Sequence, residues 1–331
     1  MATFVRTQEI AHEIGEHGQL ALRVTSPDVE MRAEDGSTAT VRVTFEIRAG
    51  TDAEADEIFD RVRFAVSSGS GSLEVTEPKH GPMAGIGSLV RLLTSGGHAE
   101  SSVEVRAPRG CDLRFNGVSA NVTAIGFRGA QQYRTVSGDL VLDDVGGDVQ
   151  IKGVSGDLSL RAEAVLSSLE INTVSGDVSA FVPRIDRLRA ATVSGDLEVE
   201  ALLSVGPQHR VETVSGDLSL GATDNLTVEV RGLSTDADIR LPHRSEGSRD
   251  RRRYVIGDGA AQILFSSMSG DIEVRAPRRT GSAPPPPSPP APPRPPVNQD
   301  AQMAILTALE RGEIDVEEAT RRLAGTGRSD V

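Results

Sequence analysis

The chain has 331 residues, a net charge of −13 and a pI near 5.0; Lys79 and Lys152 are its only lysines. That balance lacks the cationic excess with which nucleic-acid binders displace counterions, so no nucleic acid is expected as a partner. Aromatics make up 3% with no Trp, which suits a narrow interior of Val, Leu, Ile and Ala, and the single Cys111 excludes an intrachain disulfide or a redox CxxC pair and reads as a small packed side chain.

The opening "MATFVRTQEIAHEIGEHGQ" has no apolar run of signal-peptide length, and nowhere do about 18 apolar residues follow one another. A cytoplasmic chain is expected, touching a membrane only peripherally at its inner face. Residues 1–109 read as strands with a capping helix. "QLALRV", "TVRVTFEI", "SLEVTEP" and "SSVEVRAP" are the strands. In "TDAEADEIFDRVRFAVSSGSG", Thr51 and Glu54 form a capping box, and Ala55, Ile58, Phe59, Val62 and Val66 make an apolar stripe. In "GPMAGIGSLVRLLTSGG" (81–97), Ile86, Leu89, Val90 and Leu93 share one face of a short helix. That face either packs on the sheet or docks on a partner or a bilayer surface. Two glycines without a clear preceding strand do not make a nucleotide-binding loop.

From residue 110 to 276 one motif recurs. TVSGD stands at 135–139, 173–177, 192–196 and 213–217, GVSGD at 153–157 and a decayed MSGD at 268–271. Counted at Val118, Val136, Val154, Val174, Val193, Val214 and Leu233, the steps are 18 to 21 residues, followed by one of 35 to Met268. Alternation along "TVSGDLVL" places Val136, Gly138, Leu140 and Leu142 on one, inward face and Thr135, Ser137, Asp139 and Val141 on the other. Gly138, Gly156, Gly176, Gly195, Gly216 and Gly270 are then inward positions without side chains, where coils approach closely. Two short strands and two corners per coil, stacked in register, make an all-β solenoid of 18–21 residues per coil and about ten coils. The basic stretch "HRSEGSRDRRRYVIGDG" (243–259) reads as a solvated loop inserted before the last coil.

These TVSGD-L-x-L repeats resemble the toastrack family, also labelled "putative adhesin", with LiaX-like, YvlB-like and PspC-like members. The resemblance implies a β-strand-repeat fold and a place in bacterial envelope-stress systems, and it supplies no catalytic residues. The adhesin label implies secretion.

Residues 277–297, with ten prolines between 284 and 296, read as an extended spacer rather than an SH3-type ligand. Residues 298–325 read as a small α-hairpin: Met303, Leu306 and Leu309 form one stripe, Gly312 stops the helix, and Asp315 with Glu318 caps the second. The module is similar to SHOCT domains. About 26 residues bury too little to fold robustly alone. Leu306, Leu309, Ile314 and Leu323 are therefore expected to contact a protein partner or a second copy, and 326–331 form a tail.

Is there chemistry in the repeat? Stacked coils align Asp139, Asp157, Asp177, Asp196 and Asp217, and carboxylates about 5 Å apart repel by nearly 1 kcal/mol even in water. Ser, Thr and turn N–H groups offset this if each Asp closes its own turn. The alternative is a row of calcium ions, but one Asp per coil supplies too few oxygens for six to eight ligands. Polysaccharide cleavage would need paired acids and stacking aromatics, and the six histidines are scattered. "GVSG" at 153–156 is not a nucleophile elbow. No catalytic, metal or cofactor site is expected. The reading is a non-enzymatic scaffold, with a calcium-binding or adhesin-like repeat protein as the alternative.

Overall fold

The computed structural model describes residues 2–78, 99–222, 225–248 and 251–277. The 81–97 segment, the Pro-rich run beyond 277 and the hairpin with Leu306, Leu309, Ile314 and Leu323 lie outside them. Residues 1–278 form one compact unit, and 279–331 fall in another. Twenty-five strands and one helix are described. They run β1 (Ala2–Glu13), β2 (Gln19–Arg23), β3 (Asp28–Glu34), β4 (Thr38–Ala49), α1 (Asp52–Val62), β5 (Ala65–Gly69), β6 (Ser72–Thr76) and β7 (Ala99–Pro108). The repeats follow as β8 (Asp112–Asn116), β9 (Val122–Ile125), β10 (Gln131–Arg134), β11 (Leu140–Asp143), β12 (Gly147–Lys152), β13 (Leu158–Arg161), β14 (Leu166–Asn172), β15 (Val178–Ile185), β16 (Leu188–Ser194) and β17 (Leu197–Leu203). The chain continues through β18 (Gln208–Ser215), β19 (Leu218–Gly221), β20 (Leu226–Ser234), β21 (Ala237–Ile239), β22 (His243–Ser248), β23 (Arg251–Ile256), β24 (Ala261–Ser269) and β25 (Ile272–Arg275).

Hydrogen bonding sorts these strands onto two faces of a solenoid. Face 1 runs β5–β6–β2–β8–β10–β12–β14–β16–β18–β24–β20–β23–β22, and face 2 runs β1–β4–β7–β3–β9–β11–β13–β15–β17–β19–β25–β21. Pairing between repeat strands is parallel and in register, so like residues stack on like. Leu140, Leu158, Val178, Leu197, Leu218 and Ile272 form one such buried column on face 2. Each fully buried Leu contributes about 1.5–3 kcal/mol. The Leu, Val or Ile that follows each SGD is therefore the core residue of its coil.

Both ends depart from chain order. The β2–β3 coil sits between β6–β7 and β8–β9. The β24–β25 coil slots between β18–β19 and β20–β21. The 35-residue step thus spans a hairpin and an insertion back into the stack, and the outermost coil precedes its neighbour in sequence. Residues 243–259, read from sequence as a solvated loop, mostly form the antiparallel pair β22–β23, and β23 pairs in turn with β20. Alternation had been masked there by charge: Val255 and Ile256 are buried while Arg253 is exposed.

At the N-terminal end β1, a strand that sequence analysis missed, pairs with β4 over its full length. Its alternation is weak because an edge strand buries little; only Gln8 is fully buried. The Gln8 amide accepts from the Phe64 N–H at 2.8 Å and donates to its carbonyl at 2.9 Å. Helix α1 lies on β4 and β1. Thr51 Oγ1 accepts the Glu54 N–H at 3.2 Å, and the Glu54 carboxylate accepts the Gly50 N–H at 2.8 Å, so the capping box reaches back one residue further than expected. Phe59 and Phe64 meet Phe45 of β4 edge-on, with centroids 5.4 and 6.0 Å apart. Val66 leaves the expected stripe and lies exposed on β5. Among the described residues no helix is long and apolar enough to cross a membrane.

Candidate functional site

The TVSGD segments and their variants make the same corner of each coil that carries them, between the end of a face 1 strand and the start of a face 2 strand. Thr begins the turn: Thr135, Thr173 and Thr192 each donate a hydroxyl to the carbonyl two residues on, at 2.9–3.1 Å. Ser continues the stack. The Ser155 N–H and hydroxyl both reach the Val136 carbonyl of the preceding coil, at 2.9 and 3.3 Å, and Ser137, Ser175 and Ser194 repeat the contact with Val118, Val154 and Val174.

Gly then lets two backbones touch. A Cβ on Gly156, Gly176, Gly195 or Gly216 would lie 2.8–3.0 Å from the carbonyl carbon of the glycine one coil earlier, and closer still to its oxygen. Gly138 meets Ala120 in the same way, and Gly270 meets Gly216. These glycines do not face the interior, as strict alternation had implied; the missing side chain would point along the stack into the neighbouring coil.

Asp completes the turn, and its bonding differs from the expected closure of its own turn. The Asp157 N–H donates to Asp139 Oδ1 at 3.0 Å, Asp177 to Asp157, Asp196 to Asp177 and Asp217 to Asp196, each at 2.9 Å. Asp271 donates to Asp217 at 2.8 Å and Asp236 to Asp271 at 2.7 Å. At the other end Asp139 donates to Asn121 Oδ1, whose amide donates to Asp28. Each Asp carbonyl also accepts an N–H from the preceding coil, as Asp157 does from Leu140 at 2.9 Å. An exposed row of carboxylates is thus bridged by peptide N–H dipoles, which offset its like-charge repulsion. Among the described residues no group of three or more His, Cys, Asp or Glu is arranged to hold a metal ion.

The first hydrophobe of the motif is where strand alternation fails. Val118, Val136, Val154, Val174, Val193, Val214 and Met268 are 43–56% exposed, although Val136 and its equivalents had been placed inside. Positive φ at the glycine, +108° at Gly138, turns the chain between Val and Leu, so inside and outside exchange across it. The result is an exposed apolar column along the corner. It was hidden from sequence analysis because period-two reasoning was carried through a turn; the glycine itself was the available signal.

Other reactive groups are structural. Burial pushes the Cys111 thiol up to about 12 and keeps it neutral. His209 is fully buried; Nδ1 accepts the Leu188 N–H at 3.1 Å and Nε2 donates to the Ser204 carbonyl at 2.9 Å, and desolvation lowers its pKa. Arg275 reaches past Gly221 to Glu198 and Glu200 at 2.8 and 2.7 Å, tying β25 to β17 across β19.

The family model described as Toastrack DUF4097 matches residues 17–275. No curated protein matches the chain. Solved structures similar to it include a "putative adhesin" from Bacteroides fragilis NCTC 9343, with 11% identity over 82% of this chain and 97% of that one, at a TM-score of 0.43. A "putative lipid binding protein" from Parabacteroides distasonis ATCC 8503 has 14% identity over 82% of this chain and 96% of that one, at 0.36.

Proposed function

Because the chain belongs to the toastrack family, we propose that it is a non-enzymatic scaffold whose solenoid is a rigid spacer and whose partners engage its C-terminal segment. One observation carries this reading. The polar groups that the repeat supplies most often, the Ser hydroxyl, Asp Oδ1 and Asp N–H, are spent on bonds between coils and hold the stack together. Repetition of such groups serves length and stiffness rather than a reaction.

Partner contact then falls to 298–325, where Leu306, Leu309, Ile314 and Leu323 form an apolar stripe too small to be self-sufficient. The Pro-rich 277–297 gives it a reach of about 60 Å if extended. The family resemblance supports membrane-associated regulation in the bacterial envelope-stress response. The test is affinity capture with the full chain and its Leu309→Asp variant. The variant should lose the partner set while the solenoid keeps its β-sheet circular dichroism and unfolding midpoint. An identical partner set for both would refute the role given to this segment.

A further inference from the structure

The column from Val118 to Met268 is left without a use by the scaffold reading. Seven large apolar side chains stand exposed in a single file about 29 Å long at one per coil. A surface position freely open to water does not need Val in coil after coil, and an apolar patch of this extent marks a contact surface. From the exposed column and the charges on its two sides, we infer that it is the interface with a second copy of this chain, the two solenoids lying side by side and parallel about a two-fold axis along their length.

Spacing selects the occupant. The column repeats at the strand separation of about 4.8 Å. An α-helix repeats every 5.4 Å, so over six steps the two drift apart by about 3–4 Å and lose register. Another copy has the same repeat at every coil, so the two rows meet level for level along their whole length. Charge selects the direction. The exposed Asp row, including Asp139 and Asp157, borders the column toward face 2; toward face 1 the stacked row is Asn116, Arg134, Lys152, Asn172, Ala191, Glu212 and Ser266, two basic residues and one acid among neutral ones. A two-fold axis along the solenoid sets the face 1 side of one copy beside the face 2 side of the other, so Arg134 and Lys152 meet the partner's Asp row at their own level. The antiparallel arrangement would set Asp row against Asp row, which is repulsive.

The experiment uses the full chain carrying Val154→Cys or Val118→Cys, treated with a short bismaleimide; buried Cys111 makes the unsubstituted chain the blank. Each variant should cross-link to itself, because a parallel pair sets every residue of the column opposite its own copy. The cross-link should persist when Leu309→Asp is added, which separates this interface from the C-terminal segment. In sedimentation, Val154→Lys with Val174→Lys should weaken dimerisation at least tenfold, while at concentrations where both chains are dissociated the unfolding midpoints should coincide, since both positions are exposed. The inference is overturned by a monomeric full chain at tens of micromolar, by cross-linking of Val118→Cys only to Cys introduced at Met268, by loss of the cross-link with Leu309→Asp, or by unchanged association of the double Lys variant.

Discussion

Replacing Gly176 by Ala tests the stacking corner against backbone strain alone. Gly176 has φ of +109°, and a Cβ there would lie 2.8 Å from the carbonyl carbon and 3.2 Å from the nitrogen of Gly156. Gly206, in the turn between β17 and β18, has nearly the same φ of +115° and no atom within 4 Å of its Cβ position. An Ala at either site carries the strain of a backbone region that L-residues rarely adopt, about 1–3 kcal/mol. At Gly176 the overlap falls on backbone, which cannot rotate away, and forcing it apart adds about 1–3 kcal/mol. Gly206→Ala should therefore cost about 1–3 kcal/mol and Gly176→Ala about 2–6 kcal/mol. Urea unfolding followed by far-ultraviolet circular dichroism measures both, with equal denaturant dependence as the check that one transition is compared. Equal losses at the two sites would refute the claim that the glycine file exists for coil-to-coil contact.

The Asp row should be indifferent to calcium: the thermal midpoint should be the same with millimolar calcium and with a chelator, and a rise of many degrees would establish ion binding. Asp177→Asn keeps an Oδ1 acceptor for the Asp196 N–H and relieves repulsion, so its midpoint should match wild type, whereas Asp177→Ala should cost about 1–2 kcal/mol in the same unfolding assay. His209 is held neutral in the fold, with its pKa below the unfolded value near 6.5, so the unfolded chain binds more protons and the contribution present above that value is lost as pH falls through it. His209→Gln should flatten the fall in stability below about pH 6.5, and an unchanged slope would contradict the assignment. Cys111 should resist thiol reagents in the native protein and react on unfolding; rapid native labelling would show that it is not buried.

The solenoid itself was legible in the sequence, because Leu140, Leu158, Leu197 and Leu218 recur at coil spacing, each with Leu or Val two residues on. Period-two alternation holds within a strand, and within the strands it assigned Leu140 and Leu142 to the core. It fails at the corner, where φ at Gly138 reverses inside and outside, and so Val136 and its equivalents were misplaced. The Asp residues were recognisable as a stacked row. Their partners were not, because a carboxylate reaching the N–H of the next coil looks in sequence the same as one closing its own turn. Intercalation of β24–β25 was beyond reach as well. A step of 35 residues fits an added coil and an inserted hairpin equally, and pairing partners 54 residues apart, such as Asp271 and Asp217, leave no local signal.

Amide hydrogen exchange at Asp139, Asp157, Asp177, Asp196, Asp217 and Asp271 tests the central claim, that TVSGD is a device for joining coils. These residues are exposed at a corner outside the regular strands, where an N–H bonded to water exchanges fast. Each donates instead to the carboxylate or amide oxygen of the adjoining coil. All six should exchange as slowly as the neighbouring strand amides, and Asp177→Ala should speed exchange at Asp196 selectively. Fast exchange at these six positions in a protein whose strands remain protected would contradict the account.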